Sequence, residues 1–128
     1  MKLLFDTHAL IWWADNDKRL SLKARQTLSS RSTTLYVSAA SAYEMAYKHG
    51  IGKAPRVEEL IRDLDEIMRR EGFVALPITL EHGRRAGELP DKHGDPFDRI
   101  LAAQAMVENM LIVSNDEKLS ALGAKRVW

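Results

Sequence analysis

Short apolar runs alternate along the chain with longer stretches in which apolar residues recur every three or four positions. This is the pattern of buried strands alternating with amphipathic helices. Leu3 to Phe5 suits a strand buried on both faces, and after Asp6-Thr7 the residues Leu10, Ile11 and Ala14 fall at helical spacing. Leu20 to Leu28 predicts a second helix. Thr34 to Val37 (TLYV) is β-branched and aromatic and predicts a strand, and SAASAYEMAYKHGIG after it predicts a helix ending near Gly50 or Gly52. From Val57 to Arg70, Leu60, Ile61, Leu64, Ile67 and Met68 share one face of a helix that Gly72 closes. Phe73 to Leu76 predicts a third strand, Thr79 to Glu88 a helix, and LPDKHGDP a polar connection rich in turns. Pro96 to Asn109 predicts a helix carrying Ile100, Leu101, Ala103, Ala105 and Met106, followed by a fourth strand at Leu111 to Val113. Asp116 to Leu122 predicts a short helix, and Lys125 to Val127 is the candidate for a last strand.

Such alternation is the α/β signature, with a mostly parallel central sheet of four to five short strands flanked by helices. No repeat, linker or block of like charge divides the 128 residues, so residues 1–128 form a single expected domain. The absence of Cys excludes disulfides, thiolate metal sites and cysteine nucleophiles, and fits a reducing, cytoplasmic setting. Any metal must then sit on oxygen or imidazole. A net charge of +1 removes the strongly basic footprint of many nucleic-acid binders but not local basic patches. Asp6 and His8 interrupt the apolar start, no small-residue cleavage site follows, and nothing approaches the roughly 18 apolar residues of a membrane span.

In a parallel sheet the residues just beyond the strand carboxyl ends share one rim, where ligands bind. Asp6 and Asp116 occupy such positions, while Glu44 and the pair Asp95 and Asp98 lie in the first turns of helices that reach the same rim. Each acid also has a local explanation. Asp6 suits a helix N-cap, Ser41 and Glu44 have the spacing of a capping box, Asp95-Pro96 fits a cap followed by Pro at the first helical position, and Asp116 precedes a short helix. Together these explanations weaken, because two carboxylates about 5 Å apart at an effective dielectric near 20 repel by roughly 3 kcal/mol. Either their pKa values rise or a cation sits among them, and hard oxygen donors suit Mg²⁺ or Mn²⁺ rather than zinc.

The segments LLFDTHALIWW, SAASAYEMAYKHGIGK, HGDPFDRILAAQAM and VSNDEKL, in that order, resemble the motifs of PIN-domain ribonucleases, most closely VapC-type toxins of prokaryotic toxin–antitoxin pairs. The likeness spans essentially the whole chain. It implies a Mg²⁺ or Mn²⁺ site in an acidic groove, with Asp6, Glu44, Asp98 and Asp116 matching the family's four acids and Ser114 and Asn115 as polar helpers. Asp95 belongs to the DPFDR signature without matching a metal-site acid. The resemblance further implies an RNA substrate, a small antitoxin whose tail covers the groove, and a homodimer.

Metal-assisted phosphodiester hydrolysis is the chemistry such a site would support, with Asp6 and Asp98 as principal ligands, Asp116 as a ligand direct or through water, and Glu44 as a ligand or orienting the attacking water. Lys48, Lys53, Arg56, Arg84, Arg85 and Lys92 are candidates for an RNA track, or simply for solvated helix faces. His8 and His93 lie near the rim, and Arg99 fits a phosphate contact or a helix-surface ion pair. Trp12, Trp13 and Trp128 could stack bases, although their apolar neighbours favour packing. A haloacid-dehalogenase-type phosphatase would need a second Asp where His8 stands, and a receiver-like domain would need an acidic pair after the first strand. The remaining alternative is a non-catalytic PIN-like module that binds RNA or protein.

Overall fold

The computed structural model describes residues 1–52, 57–91 and 94–128. In chain order the elements are β1 (Lys2–Phe5), α1 (Thr7–Ala14), α2 (Leu22–Leu28), β2 (Thr34–Ser38), α3 (Ala39–Gly50), α4 (Glu58–Arg62), α5 (Leu64–Glu71), β3 (Val74–Leu76), α6 (Leu80–Glu88), α7 (Pro96–Val107), β4 (Leu111–Val113), α8 (Glu117–Ala121) and β5 (Arg126–Val127). The five strands form one parallel sheet in the order β3-β2-β1-β4-β5. β1 is central, with Leu4 opposite Tyr36 on one side and Ile112 on the other. The chain leaves β1 toward β2 and later returns to its opposite side at β4. The carboxyl ends of β1 and β4 therefore flank a topological switch point, where open α/β sheets bind ligands.

Side-chain alternation along β1 separates two cores. Leu4 joins Ile112, Leu76, Leu101 and Leu119 beneath α6, α7 and α8. Leu3 and Phe5 join Val113, Val37, Leu10, Leu20 and Met45 on the opposite face. Leu3, Leu4 and Phe5 are fully buried, as expected of a central parallel strand, and only Lys2 at its start is exposed. The tryptophans are partly buried and pack against this second core, and Trp12 also lines two surface cavities. Trp13 packs on Phe73 at 5.0 Å between centroids, and Trp12 meets Trp128 edge-on at 5.7 Å.

Two local expectations are corrected. The helix expected over Val57 to Arg70 is two helices, α4 and α5, meeting at Asp63 with φ −103° and ψ 16°. Bonds from Asp63 N to Glu59 O and from Ile67 N to Asp63 O continue on both sides, so the axis bends while Leu60, Ile61, Leu64, Ile67 and Met68 keep facing one core. An Asp suits such a break because it is a poor helix-interior residue. The expected Ser41–Glu44 capping box is absent: Ser38 caps α3 by accepting from Ala40 N, which places Ser41 and Glu44 inside the helix. A capping box does occur at α6, between Thr79 and His82. No helix among the described residues is long and apolar enough to cross a membrane.

Candidate active site

Four of the acids reach the rim as the sequence predicts, though not as caps in every case. Asp6 follows β1 at the N-cap position of α1, yet its side chain makes no capping bond. Its Oδ2 accepts instead from Ser114 Oγ at 2.7 Å, across the β1–β4 switch point. Ser114 Oγ also accepts from Asp116 N at 3.0 Å, so one hydroxyl orders two of the acids. Asp116 Oδ1 caps α8 through Lys118 N at 2.9 Å. Asp95 is the expected cap of α7, accepting from Phe97 N, and Pro96 takes the first helical position. That leaves Asp98, in the first turn of α7, with no hydrogen-bond partner among the described residues.

Glu44 is buried on α3 and receives Lys48 Nζ at 2.6 Å, one turn along the same helix. The side chain of Glu44 is 7% exposed and that of Lys48 40%, so a half-exposed ammonium neutralises a buried carboxylate. Its pKa is raised chiefly by the Glu44 hydrogen bond, with Asp95 and Asp98 adding attraction. A second tie, Thr7 Oγ1 to Ser41 Oγ at 2.9 Å, fastens the start of α1 to α3. Sequence pattern flagged Ser41 as a cap and missed this contact, because a hydroxyl pair 34 positions apart leaves no periodic trace.

Electrostatics link the acids more closely than their hydrogen bonds do. The Asp98 carboxyl is pushed up to about 7, first by burial and then by repulsion from Asp95, Asp6, Asp116 and Glu44. Asp6 is raised as well: burial outweighs the Ser114 bond and the attraction of His8, and Glu44 adds repulsion. Among the described residues no three His, Asp or Glu side chains stand ready-made to hold a metal ion. Glu44 is turned to Lys48, and Asp116 to its own helix. The donor set nevertheless fits a hard divalent cation. Each acid offers carboxylate oxygen, and a cation among them would offset both the burial and the mutual repulsion that raise the Asp6 and Asp98 carboxyls.

Arg99 has neither of the roles the sequence suggested. It is buried, and its guanidinium donates to the carbonyls of Ala86, Leu89, Pro90 and Asp91 at 2.5–2.8 Å and to Gly87 at 3.4 Å. It thus fastens the end of α6 and the following loop to the turn of α7 that carries Asp98. Arg84 pairs with Glu88 at 2.7 Å, and with Arg85 it lines cavities beside Met106 whose walls include none of the four acids. Lys53, Arg56, Lys92 and His93 lie outside the described residues.

A cavity of about 640 Å³ opens over Asp6 and Asp116, walled by His8, Trp12 and Lys118. It adjoins, at His8 and Trp12, a second of about 390 Å³ lined by Thr7, Arg19, Met45 and Lys48. Beside Glu44 and Asp98, Tyr43 stacks on Tyr47 with planes 10° apart and touches Phe97, a group of rings the sequence reading did not single out.

The family model described as PIN domain matches residues 3–125. Ribonuclease VapC22 of Mycobacterium tuberculosis is 31% identical over 121 residues, covering 91% of this chain and 88% of the relative. Among solved structures, VapBC2 from Rickettsia felis bound to a promoter DNA fragment superposes with a TM-score of 0.74 at 18% identity, over 99% of this chain and 98% of that one. VapC20 of Mycobacterium tuberculosis, described as a sarcin-ricin loop cleaving toxin, superposes with a TM-score of 0.70 at 12% identity, over 98% of each chain.

Proposed function

Because the chain belongs to the PIN-domain family, we propose that it is a Mg²⁺- or Mn²⁺-dependent endoribonuclease hydrolysing RNA phosphodiester bonds. Its place would be as the toxin of a toxin–antitoxin pair, cytoplasmic, homodimeric and held inactive by a small antitoxin. What supports the catalytic part is the gathering of Asp6, Glu44, Asp98 and Asp116 around one end of the sheet, where burial first and then repulsion from the neighbouring acids push the Asp98 carboxyl up to about 7. Support for the toxin role is the 31% identity to a relative named a ribonuclease, and the likeness to proteins solved as toxin–antitoxin complexes.

Asp6 and Asp98 are the principal residues to hold the cation, with Asp116 beside them and Glu44 holding it or orienting the attacking water. When bound, the cation lowers the pKa of water and offsets charge on the phosphate. The protein's own part is positional. Ser114 fixes Asp6 and Asp116 to each other, Ser38 and Thr7 fix α3 and hence Glu44, and Arg99 fixes the turn carrying Asp98. Such outer contacts typically change metal affinity by about 10- to 100-fold.

One observation favours a second reading. The Lys48 ammonium already neutralises Glu44, as it would in a binding module that grips without cutting. The two readings part in one experiment: total cellular RNA is incubated with purified protein in Mg²⁺ or EDTA, beside Asp6→Asn and Asp98→Asn. Discrete cuts that need the metal and both carboxylates are expected. RNA left whole by a protein that nevertheless binds it would establish the module.

A further inference from the structure

We propose that Arg19 and Lys118 hold the backbone phosphates of a single RNA strand on either side of the position to be cut. The strand lies in the groove made where the two cavities adjoin at His8 and Trp12. This deepens the ribonuclease reading and rests on it. Carboxylates at the floor of a groove repel a polyanion, so a strand needs cations where it enters and leaves. Arg84 and Arg85, two of the cations expected for such a track, line cavities other than the one over Asp6 and Asp116. Lys118 shares a wall with Asp6 and Asp116, while Arg19 stands across the His8–Trp12 ridge beside Lys48.

Arg19 is held ready for this task. Its Nε and Nη2 donate to the two Asp17 carboxylate oxygens at 3.1 and 2.8 Å, and its guanidinium carbon lies 5.0 Å from the Trp12 ring centroid. A planar fork fixed on one edge and one face loses little freedom on binding a phosphate, and Nη1 has no partner among the described residues. The Lys118 backbone N–H donates to the Asp116 cap of α8, while its exposed ammonium is unpaired among the described residues. Asp17 tempers Arg19 without enclosing it, since the Arg19 side chain remains 66% exposed, and Lys118 is exposed as well. A single strand suits the groove better than a duplex, since a phosphate must descend to Asp6, which is only 6% exposed.

The test is the salt dependence of binding, by fluorescence anisotropy, of an unstructured fluorescein-labelled 12-nucleotide RNA. It is run in Mg²⁺ between 50 and 200 mM salt, and the probe's integrity is checked on a gel. Arg19→Ala and Lys118→Ala should each flatten the log–log slope by about 0.7, the value for one lost single-strand phosphate contact. Arg19→Lys and Lys118→Arg should restore it, which a purely structural role for either residue would not produce. Arg84→Ala with Arg85→Ala should leave the slope unchanged, and the probe annealed to its complement should bind more weakly.

Wild-type slopes in the two alanine variants, with RNA still bound and cellular RNA still cut, would overturn the track and leave the ribonuclease reading standing. Slopes lost only in the α6 variants would also overturn it, as would variants that release a co-purifying protein partner without altering RNA binding. A wild type that neither binds the probe nor cuts cellular RNA would overturn both.

Discussion

Replacing Asp98 by Asn should remove the site's catalytic capacity and, in the metal-free protein, increase stability above neutral pH. Displacement of the carboxyl from 3.8 to about 7 corresponds, at about 1.4 kcal/mol per pH unit, to roughly 4 kcal/mol. Asp98 is only half-buried, and solvent screening reduces this to about 1–2 kcal/mol. The sign follows from linkage. The folded chain holds the Asp98 proton more tightly than the unfolded chain does, so this contribution to stability is fully present below about pH 3.8 and is lost as pH rises to about 7. Asn carries no such dependence, and it forgoes only the first-turn charge on α7, about 0.3–1 kcal/mol. In EDTA, urea unfolding should therefore show the variant about 1 kcal/mol more stable than wild type at pH 8 and level with it or slightly below at pH 4. Excess Mg²⁺ should restore the wild type far more than the variant. A variant no better placed against wild type at pH 8 than at pH 4 would refute the reasoning, because burial and the neighbouring acids would then not disfavour the ionised Asp98.

Two further substitutions probe the supports of the site. Ser114→Ala removes the bond that lowers the Asp6 pKa, so Mg²⁺ affinity by calorimetry should fall about 10-fold or more, and half-saturation should require a higher pH. An unchanged affinity would mean that Asp6 needs no orienting hydroxyl. Arg99→Ala strands a set of carbonyls that the guanidinium now satisfies and should cost about 3–5 kcal/mol in urea unfolding, with Arg99→Lys recovering part of it. Loss of cleavage with full stability would instead give Arg99 a direct part in the reaction.

Much of the fold was legible because its signals are local. The run Leu3–Phe5, the β-branched Thr34–Val37 and the spacing of Ile100, Leu101 and Ala105 depend on neighbours a few residues away, and each became the element expected. Asp95-Pro96 was legible for the same reason. What escaped depends on partners far along the chain. The DPFDR segment marks Arg99 as noteworthy, but nothing in it reveals that the side chain turns inward to the carbonyls closing α6. Ser41 had the spacing of a cap, and only the packing of α1 on α3 makes it a partner of Thr7. Arg84 and Arg85 looked equivalent to Lys48 as cations, yet the sheet places α6 away from the groove walls. The placements of Asp6 and Asp116 beyond strand ends and of Asp98 in a first helical turn are local features, whereas Glu44 lies past the first turn of α3 and not where a cap was expected.

The bond from Ser114 to Asp6 spans 108 positions and closes the site between the first strand and the fourth. At roughly 5–20 residues per second of synthesis, Asp6 is made about 5–20 seconds before its partner exists. A chain that stops short of β4 lacks Ser114 and Asp116 and cannot close this end of the sheet. The same property offers a practical handle. Two fragments divided near Gly72 would carry Asp6 with Glu44 on one piece and Asp98 with Asp116 on the other, so under the proposed reading RNA cleavage should appear only when the two are mixed.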